Sequence, residues 1–250
     1  MEPARGEFSL NADPDVQLLL LDLQEVDSRL DQLAHRRDTL PEAKRLTELE
    51  AESAAVADRL VAAETEAGDV QRLVDKAESD VEQVRQRAQR DQQRLDAGVG
   101  TAKDLQSLTA EIQSLARRQS ELEDAELEVM ERLEEVQSAV QGLQADRDRL
   151  TQEISETTQA RDVAFERIAA ESQDLAEERA ALVARVPADL LALYDKLRGQ
   201  YDGVGAAALE HGRCGGCRLE LNQVDLNEIR SQPPEAVVRC EECRRILVRR

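Results

Sequence analysis

Four cysteines carry the clearest chemical signal in this chain. They form two pairs, Cys214-Gly-Gly-Cys217 and Cys240-Glu-Glu-Cys243, with 22 residues between the pairs. Each pair offers two thiolates from one tight turn. Two such knuckles complete the tetrahedron of soft donors that zinc prefers. The expectation is one structural zinc ion held by Cys214, Cys217, Cys240 and Cys243. A catalytic zinc would keep an open position, whereas four thiolates close the site. Two disulfides are disfavoured in a reducing compartment. A thioredoxin-like redox pair needs a strand-helix context that the surrounding pattern lacks. A four-cysteine iron or iron-sulfur centre uses the same ligands and stays open as an alternative. His211 lies three residues before Cys214. With four thiols present it reads as a surface or packing side chain, and His35 as a solvated one.

The second candidate group is cationic. Arg213, Arg218, Arg239, Arg244, Arg245, Arg249 and Arg250 lie close to the knuckles in sequence. Guanidinium groups bind phosphates in a bidentate fashion and pair equally well with acidic protein surfaces. Glu241 and Glu242 dilute the patch. Contact with nucleic acid and contact with a protein partner are both open readings. No phosphate loop, nucleophile elbow or paired catalytic carboxylates stand out. Gly203-Val-Gly205 follows no strand and reads as a linker. The expectation is a protein that is not an enzyme and has no small-molecule substrate.

The elements that must carry the knuckles are helical. Charged residues make up 34% of the chain and aromatics 2%, with no Trp. Such a composition fills a seam rather than a globular core. The fold class expected is mainly α, a long antiparallel coiled-coil hairpin with a small C-terminal zinc ribbon. Residues 1–14 read as a flexible tail, and Asp13-Pro14 as a helix start. Apolar residues then recur at Val16, Leu19, Leu23, Val26, Leu30, Leu33 and Leu40 until Pro41 imposes a kink or break. A shifted seam resumes at Leu46 and runs to Leu95. Only Ser53 and Asp91 in it are polar. The stretch 96–101 holds two glycines, and Thr101 with Asp104 suggests a capping box. In the following heptads, from Leu105 to Arg185, 16 of 24 seam positions are apolar. Polar residues crowd that seam after Arg147, which predicts looser or splayed contact there. Two stretches of similar length joined by a glycine turn favour an intramolecular hairpin over 15–186 rather than a parallel pairing of two chains. A connector helix follows over 187–205, with Leu190, Leu193, Tyr194, Leu197 and Tyr201 on one face. The ribbon occupies 206–250. A short helix is expected over 222–230, a turn at Pro233-Pro234, and strands over 236–239 and 246–249.

Charge narrows the partners. The net charge is −20, while residues 206–250 hold eight Arg against seven acids. The hairpin is therefore acidic and repels phosphate backbones and anionic membranes. Leu18 to Leu21 is too short for a signal-peptide core or a membrane span. A cytoplasmic location without membrane attachment is the expectation.

Three places resemble a bacterial family of coiled-coil hairpin proteins with a C-terminal four-cysteine zinc ribbon, long regarded as of unknown function. The stretch Thr101 to Ile112 is similar to that family's turn and helix start. Pro187 to Gly205, with Leu191, Tyr194 and Leu197, resembles its connector. Cys240-Glu-Glu-Cys243-Arg-Arg-Ile-Leu247 resembles its second knuckle, which usually reads CPxCGRIL. Glu241 stands where the family has proline and Arg244 where it has glycine, so a different turn is expected at this knuckle. The resemblance implies the hairpin architecture, four metal ligands and a non-enzymatic adaptor. It further implies a role in transcription or gene regulation, through RNA-polymerase sigma factors or nucleic acid.

Overall fold

The computed structural model describes residues 10–249. The elements are α1 (Pro14–Asp38), α2 (Pro41–Asp96), α3 (Ala102–Val183), α4 (Ala188–Gln200), β1 (Ala206–Glu210), β2 (Arg213–Cys214), α5 (Gln223–Ser231), β3 (Val238–Arg239) and β4 (Ile246–Arg249). The chain divides into two units, one comprising residues 44–158 and the other the two flanking stretches.

In the unit of residues 44–158, α2 and α3 run antiparallel. Small and β-branched seam residues leave a thin interior, with Leu49, Leu60, Val70, Val74, Val81, Leu115, Val136 and Leu150 buried. Arg45–Glu153 at 3.5 Å, Arg132–Glu66 and Arg87–Glu111 at 2.6 Å join the helices. Each of these residues directly precedes a seam residue, and each pair is symmetric about Val99. The three therefore lie along one flank, three heptads apart. Their charge order (Arg-Glu, Glu-Arg, Arg-Glu) opposes like charges if either helix slips by three heptads. The turn uses Gly98 and Gly100 at φ +66° and +131°. Thr101 N–H donates to Asp104 Oδ2 at 2.9 Å, and Asp104 N–H donates to Thr101 Oγ1 at 3.3 Å. This is the expected reciprocal cap. Hydrogen bonds from Thr101 hold the Asp104 carboxyl below its ordinary range.

In the other unit, α1 ends at Asp38 and Pro41 opens α2, so the expected break falls at Thr39-Leu40. The Thr39 N–H and hydroxyl both donate to the His35 carbonyl. The expected loosening of α3 after Arg147 does not occur in this unit. Ile168 and Leu175 pack with Val26, Leu33 and Leu40, with Leu30 and Phe165 alongside. Glu171 and Glu178, at heptad seam positions, face solvent instead, and the adjacent Arg179 reaches Asp27.

α1 is buried on a second face as well, because α4 and the sheet pack on it. Leu20 and Leu23 join Leu190, Tyr194, Leu197, Ala206, Ile246 and Val248 in one apolar cluster. The expectation of a flexible tail through residue 14 is corrected for its described part. Val237 N–H donates to the Leu10 carbonyl, and Ala12 N–H donates to the Glu235 carbonyl. Backbone that would otherwise face the edge of the ribbon unpaired is satisfied by this segment. Residues 1–9 lie outside the described part.

The sheet order is β2-β1-β4-β3. β1 and β4 pair in parallel, and β1–β2 and β3–β4 are antiparallel. Alternation sends Ala206, Ile246 and Val248 toward the α1–α4 cluster. It sends Ala207 and Leu247 toward Leu226, Ile229, Val238 and the cysteines. The sequence reading contained β3 and β4 but not β1 or β2. β1 is an Ala-rich segment with weak strand propensity, and its pairing with β4 is a long-range choice.

Candidate metal centre

The two knuckles are the same turn built twice. Arg218 N–H donates to the Cys214 carbonyl and Arg244 N–H to the Cys240 carbonyl, each at 2.8 Å. Cys214 N–H closes on the Leu219 carbonyl, and Cys240 N–H on the Arg245 carbonyl. Arg218 and Arg244 occupy equivalent left-handed positions at φ +63° and +61°. The different turn expected from Arg244 is therefore not found, because the arginine adopts the glycine conformation. That conformation carries about 1 kcal/mol of strain for a residue with a Cβ. Arg244→Gly should accordingly stabilise the ribbon by about 0.5–1 kcal/mol, seen as slower metal loss to a competing chelator. An unchanged or faster loss would show that the strain is absorbed elsewhere.

The glycines inside the first knuckle answer a different need. A Cβ on Gly215 would meet the Ala208 carbonyl oxygen at 3.2 Å, and one on Gly216 would meet Arg245 Cδ at 2.8 Å. The knuckle thus lies directly against β1 and the second knuckle.

The four Sγ atoms all lie within 4.8 Å of one another. Cys214–Cys243 and Cys217–Cys240 are separated by 3.8 and 4.0 Å. A tetrahedron with metal–sulfur bonds of about 2.3 Å has edges of about 3.8 Å, so the donor set fits zinc. A disulfide would need about 2.05 Å, and all four thiols are unbridged. Cys214 and Cys240 are fully buried and the other two half-buried. Burial pushes the Cys214 thiol up and the Cys240 thiol up to about 12. Burial acts the same way on Cys243, but hydrogen bonds from Arg245 and from Cys240 and Cys217 outweigh it and bring that thiol to about 7. His211 is exposed in the β1–β2 turn, where it and Gly212 both take positive φ. His35 is exposed in the last turn of α1.

The arginines divide into two sets. Arg249 donates to the carbonyls of Ile229, Gln232, Pro233, Pro234 and Ala236. Arg245 donates to the Val204 and Tyr201 carbonyls and lies over the Tyr201 ring. Arg239 Nε donates to the Arg244 carbonyl. These three help to fold the ribbon. Arg213, Arg218 and Arg244 are exposed, with Glu220 3.8 Å from Arg213 and Glu241 3.5 Å from Arg244. Arg250 lies outside the described residues.

Sequence reasoning missed the polar residues that hold the ribbon on α1. Gln17 Nε2 donates to the Ala12, Pro234 and Glu235 carbonyls. Gln24 Nε2 donates to the Gly203 carbonyl at 2.8 Å, and its Oε1 accepts from Gly205 N–H at 2.7 Å. The one signal available was two glutamines a heptad apart beside a run of four leucines. Gly205 also passes so close to α4 that a Cβ would lie 2.6 Å from the Tyr194 carbonyl oxygen. Gly205→Ala should therefore destabilise this unit by about 2 kcal/mol in urea denaturation. An unchanged midpoint would mean that the linker moves freely away from α4.

Two packed helical strands carrying a four-sulfur knuckle pair define a helical-hairpin protein with a zinc-binding ribbon. The chain belongs to the CT398-like coiled-coil hairpin family, whose model matches residues 23–202, and a C4-type zinc ribbon model matches residues 213–247. It is 37% identical over 240 residues to the uncharacterized protein Rv2229c of Mycobacterium tuberculosis, covering 93% of this chain and 95% of that one. A solved structure from Mycobacterium smegmatis is 38% identical with a TM-score of 0.80, covering 96% of this chain and all of that one. CT398 of Chlamydia trachomatis shares the fold at 18% identity with a TM-score of 0.65, over 94% and 98% of the two chains.

Proposed function

We propose that this protein is a non-enzymatic, zinc-stabilised adaptor that acts in the cytoplasm by binding another protein. In this reading Cys214, Cys217, Cys240 and Cys243 hold one structural zinc ion. The metal neutralises thiolate charge and ties the two knuckles together. The observation that carries the reading is the engagement of Arg245 and Arg249 with carbonyls of the ribbon itself. It removes two guanidiniums from any phosphate-binding patch. Glu220 and Glu241 beside Arg213 and Arg244 leave a surface of mixed charge, which suits a protein partner better than a polyanion. Partners in the transcription machinery follow from the family resemblance. None of the described helices is long and apolar enough to cross a membrane, which is compatible with the cytoplasmic reading.

The rival is RNA or DNA binding through the exposed Arg213, Arg218 and Arg244. Cross-linked capture of the tagged full-length protein from its own cytosol, with and without nuclease, separates the two. Protein partners that survive nuclease and disappear in an Arg213→Glu, Arg218→Glu double variant would support adaptor docking through the ribbon. Recovery of nucleic acid, with the proteins lost on digestion, would overturn it in favour of the rival. Loss of every partner in both samples would also sink it.

A further inference from the structure

The flanks of the helix pair in residues 44–158 differ. The flank that precedes the seam carries the three ion pairs. The other, formed by residues one past a seam position, carries the Arg85–Glu123 pair at 3.3 Å and, beside it, exposed apolar residues. Val61, Leu127 and Met130 lie there, 63%, 58% and 40% exposed. Leu127 and Met130 are one turn apart on α3 and so adjacent on its surface. Val61 lies on the corresponding flank of α2. A shallow depression of about 320 Å³ lined by Glu64, Ala67, Gln137, Val140, Gln141 and Gln144 shows that these flanks of α2 and α3 meet on one side.

The rim of this face is acidic. Residues 121–135 contain eight acids against one arginine, and that arginine, Arg132, is turned to Glu66 on the opposite flank. Glu64 and Glu134 stand exposed on the apolar flank itself. Leu127 and Met130, apolar side chains set among carboxylates, complement one kind of occupant.

We infer that this face docks a basic amphipathic helix of a partner protein. Apolar residues of that helix at spacings of three and four cover Leu127 and Met130, and its Lys or Arg residues meet the acidic rim. A second copy of this chain brings a net charge of −20 to the same acids and is disfavoured. Phosphate backbones and anionic membranes are disfavoured for the same reason. The inference deepens the adaptor reading and rests on it, but it uses none of the ribbon residues.

The test uses the full-length, zinc-loaded protein and a labelled helical peptide of roughly 18 residues, made of Leu at helical spacing and Lys elsewhere. Fluorescence anisotropy is read at about 150 mM salt. The Leu127→Gln, Met130→Gln double variant should weaken binding roughly tenfold. Leu73→Gln, which is exposed on the opposite flank, should leave it unchanged. Charge reversal at Glu64 and Glu134 should weaken binding and reduce its salt dependence. Equal binding of a peptide with the same residues in scrambled order would overturn the inference by showing charge attraction alone. So would an equal effect of Leu73→Gln, or no effect of the double variant. Sedimentation that revealed a dimer dissolved by the double variant would assign the face to self-association instead. Any of these failures leaves zinc binding and ribbon docking standing, since capture through the arginines is measured separately.

Discussion

Chelation of the metal, or Cys240→Ser, is expected to unfold the knuckles, β2, β3 and α5 while the helices of residues 44–158 keep their protection against hydrogen exchange. The apolar cluster on this side of the sheet contains Ala207, Leu221, Leu226, Ile229, Val238 and Leu247, and its other two members are Cys214 and Cys240. So small a cluster does not offset the entropy of ordering the segment. A structural zinc contributes on the order of 10 kcal/mol at neutral pH. β1 and β4 should lose less, because Ala206, Ile246 and Val248 also pack on α1 and α4. Hydrogen-exchange mass spectrometry with parallel elemental analysis checks this, and one zinc per chain is the expected stoichiometry. Full protection of the knuckles in metal-free reduced protein would refute a structural role for the metal.

The second large effect is expected at a buried charge. Asp27 is 1% exposed on α1. Its Oδ1 accepts from Arg179 Nε of α3 at 2.7 Å, and its Oδ2 accepts from the Tyr194 hydroxyl of α4 at 2.7 Å. Arg198 Nε stands 3.4 Å from Oδ2. Burial, together with the hydrogen bond to Asp27, pushes the Tyr194 hydroxyl well above its ordinary pKa, so it remains a donor. Asp27→Ala would leave two guanidiniums and a buried hydroxyl facing a void. A loss of about 3 kcal/mol is expected, against about 1 kcal/mol for Tyr194→Phe, which removes one bond and keeps the ring. Urea denaturation followed by exchange at α1 and α4 measures both. If Asp27→Ala cost no more than Tyr194→Phe, the carboxylate would be dispensable to the joint between the three helices.

Much of the molecule is legible in the residues alone. Helices need only local hydrogen bonds and a periodic apolar stripe, so the seams, the Pro41 break and the Thr101–Asp104 cap can be read from spacing. The metal centre is legible for a similar reason. Two CxxC pairs are local turns with fixed reach, and a tetrahedron of thiolates constrains their meeting point. What escaped the reading depends on distant segments finding each other. Residues 10–12 look like part of a flexible tail until the ribbon backbone beside them needs partners. β1 has an unremarkable Ala-rich sequence, and only β4, about 40 residues later, makes it a strand. Arg245 and Arg249 look like free cations in sequence, yet long flexible side chains beside unpaired carbonyls turn inward to satisfy them. Gln17, Gln24 and Asp27 would be ordinary solvent-facing residues on an isolated helix. The sequence by itself determined the helices, their apolar seams and the metal donors, because those rest on short-range periodicity and ligand chemistry. Only the tertiary structure decided which polar groups are buried and how the ribbon is seated on α1, because desolvation acts once distant surfaces have come together.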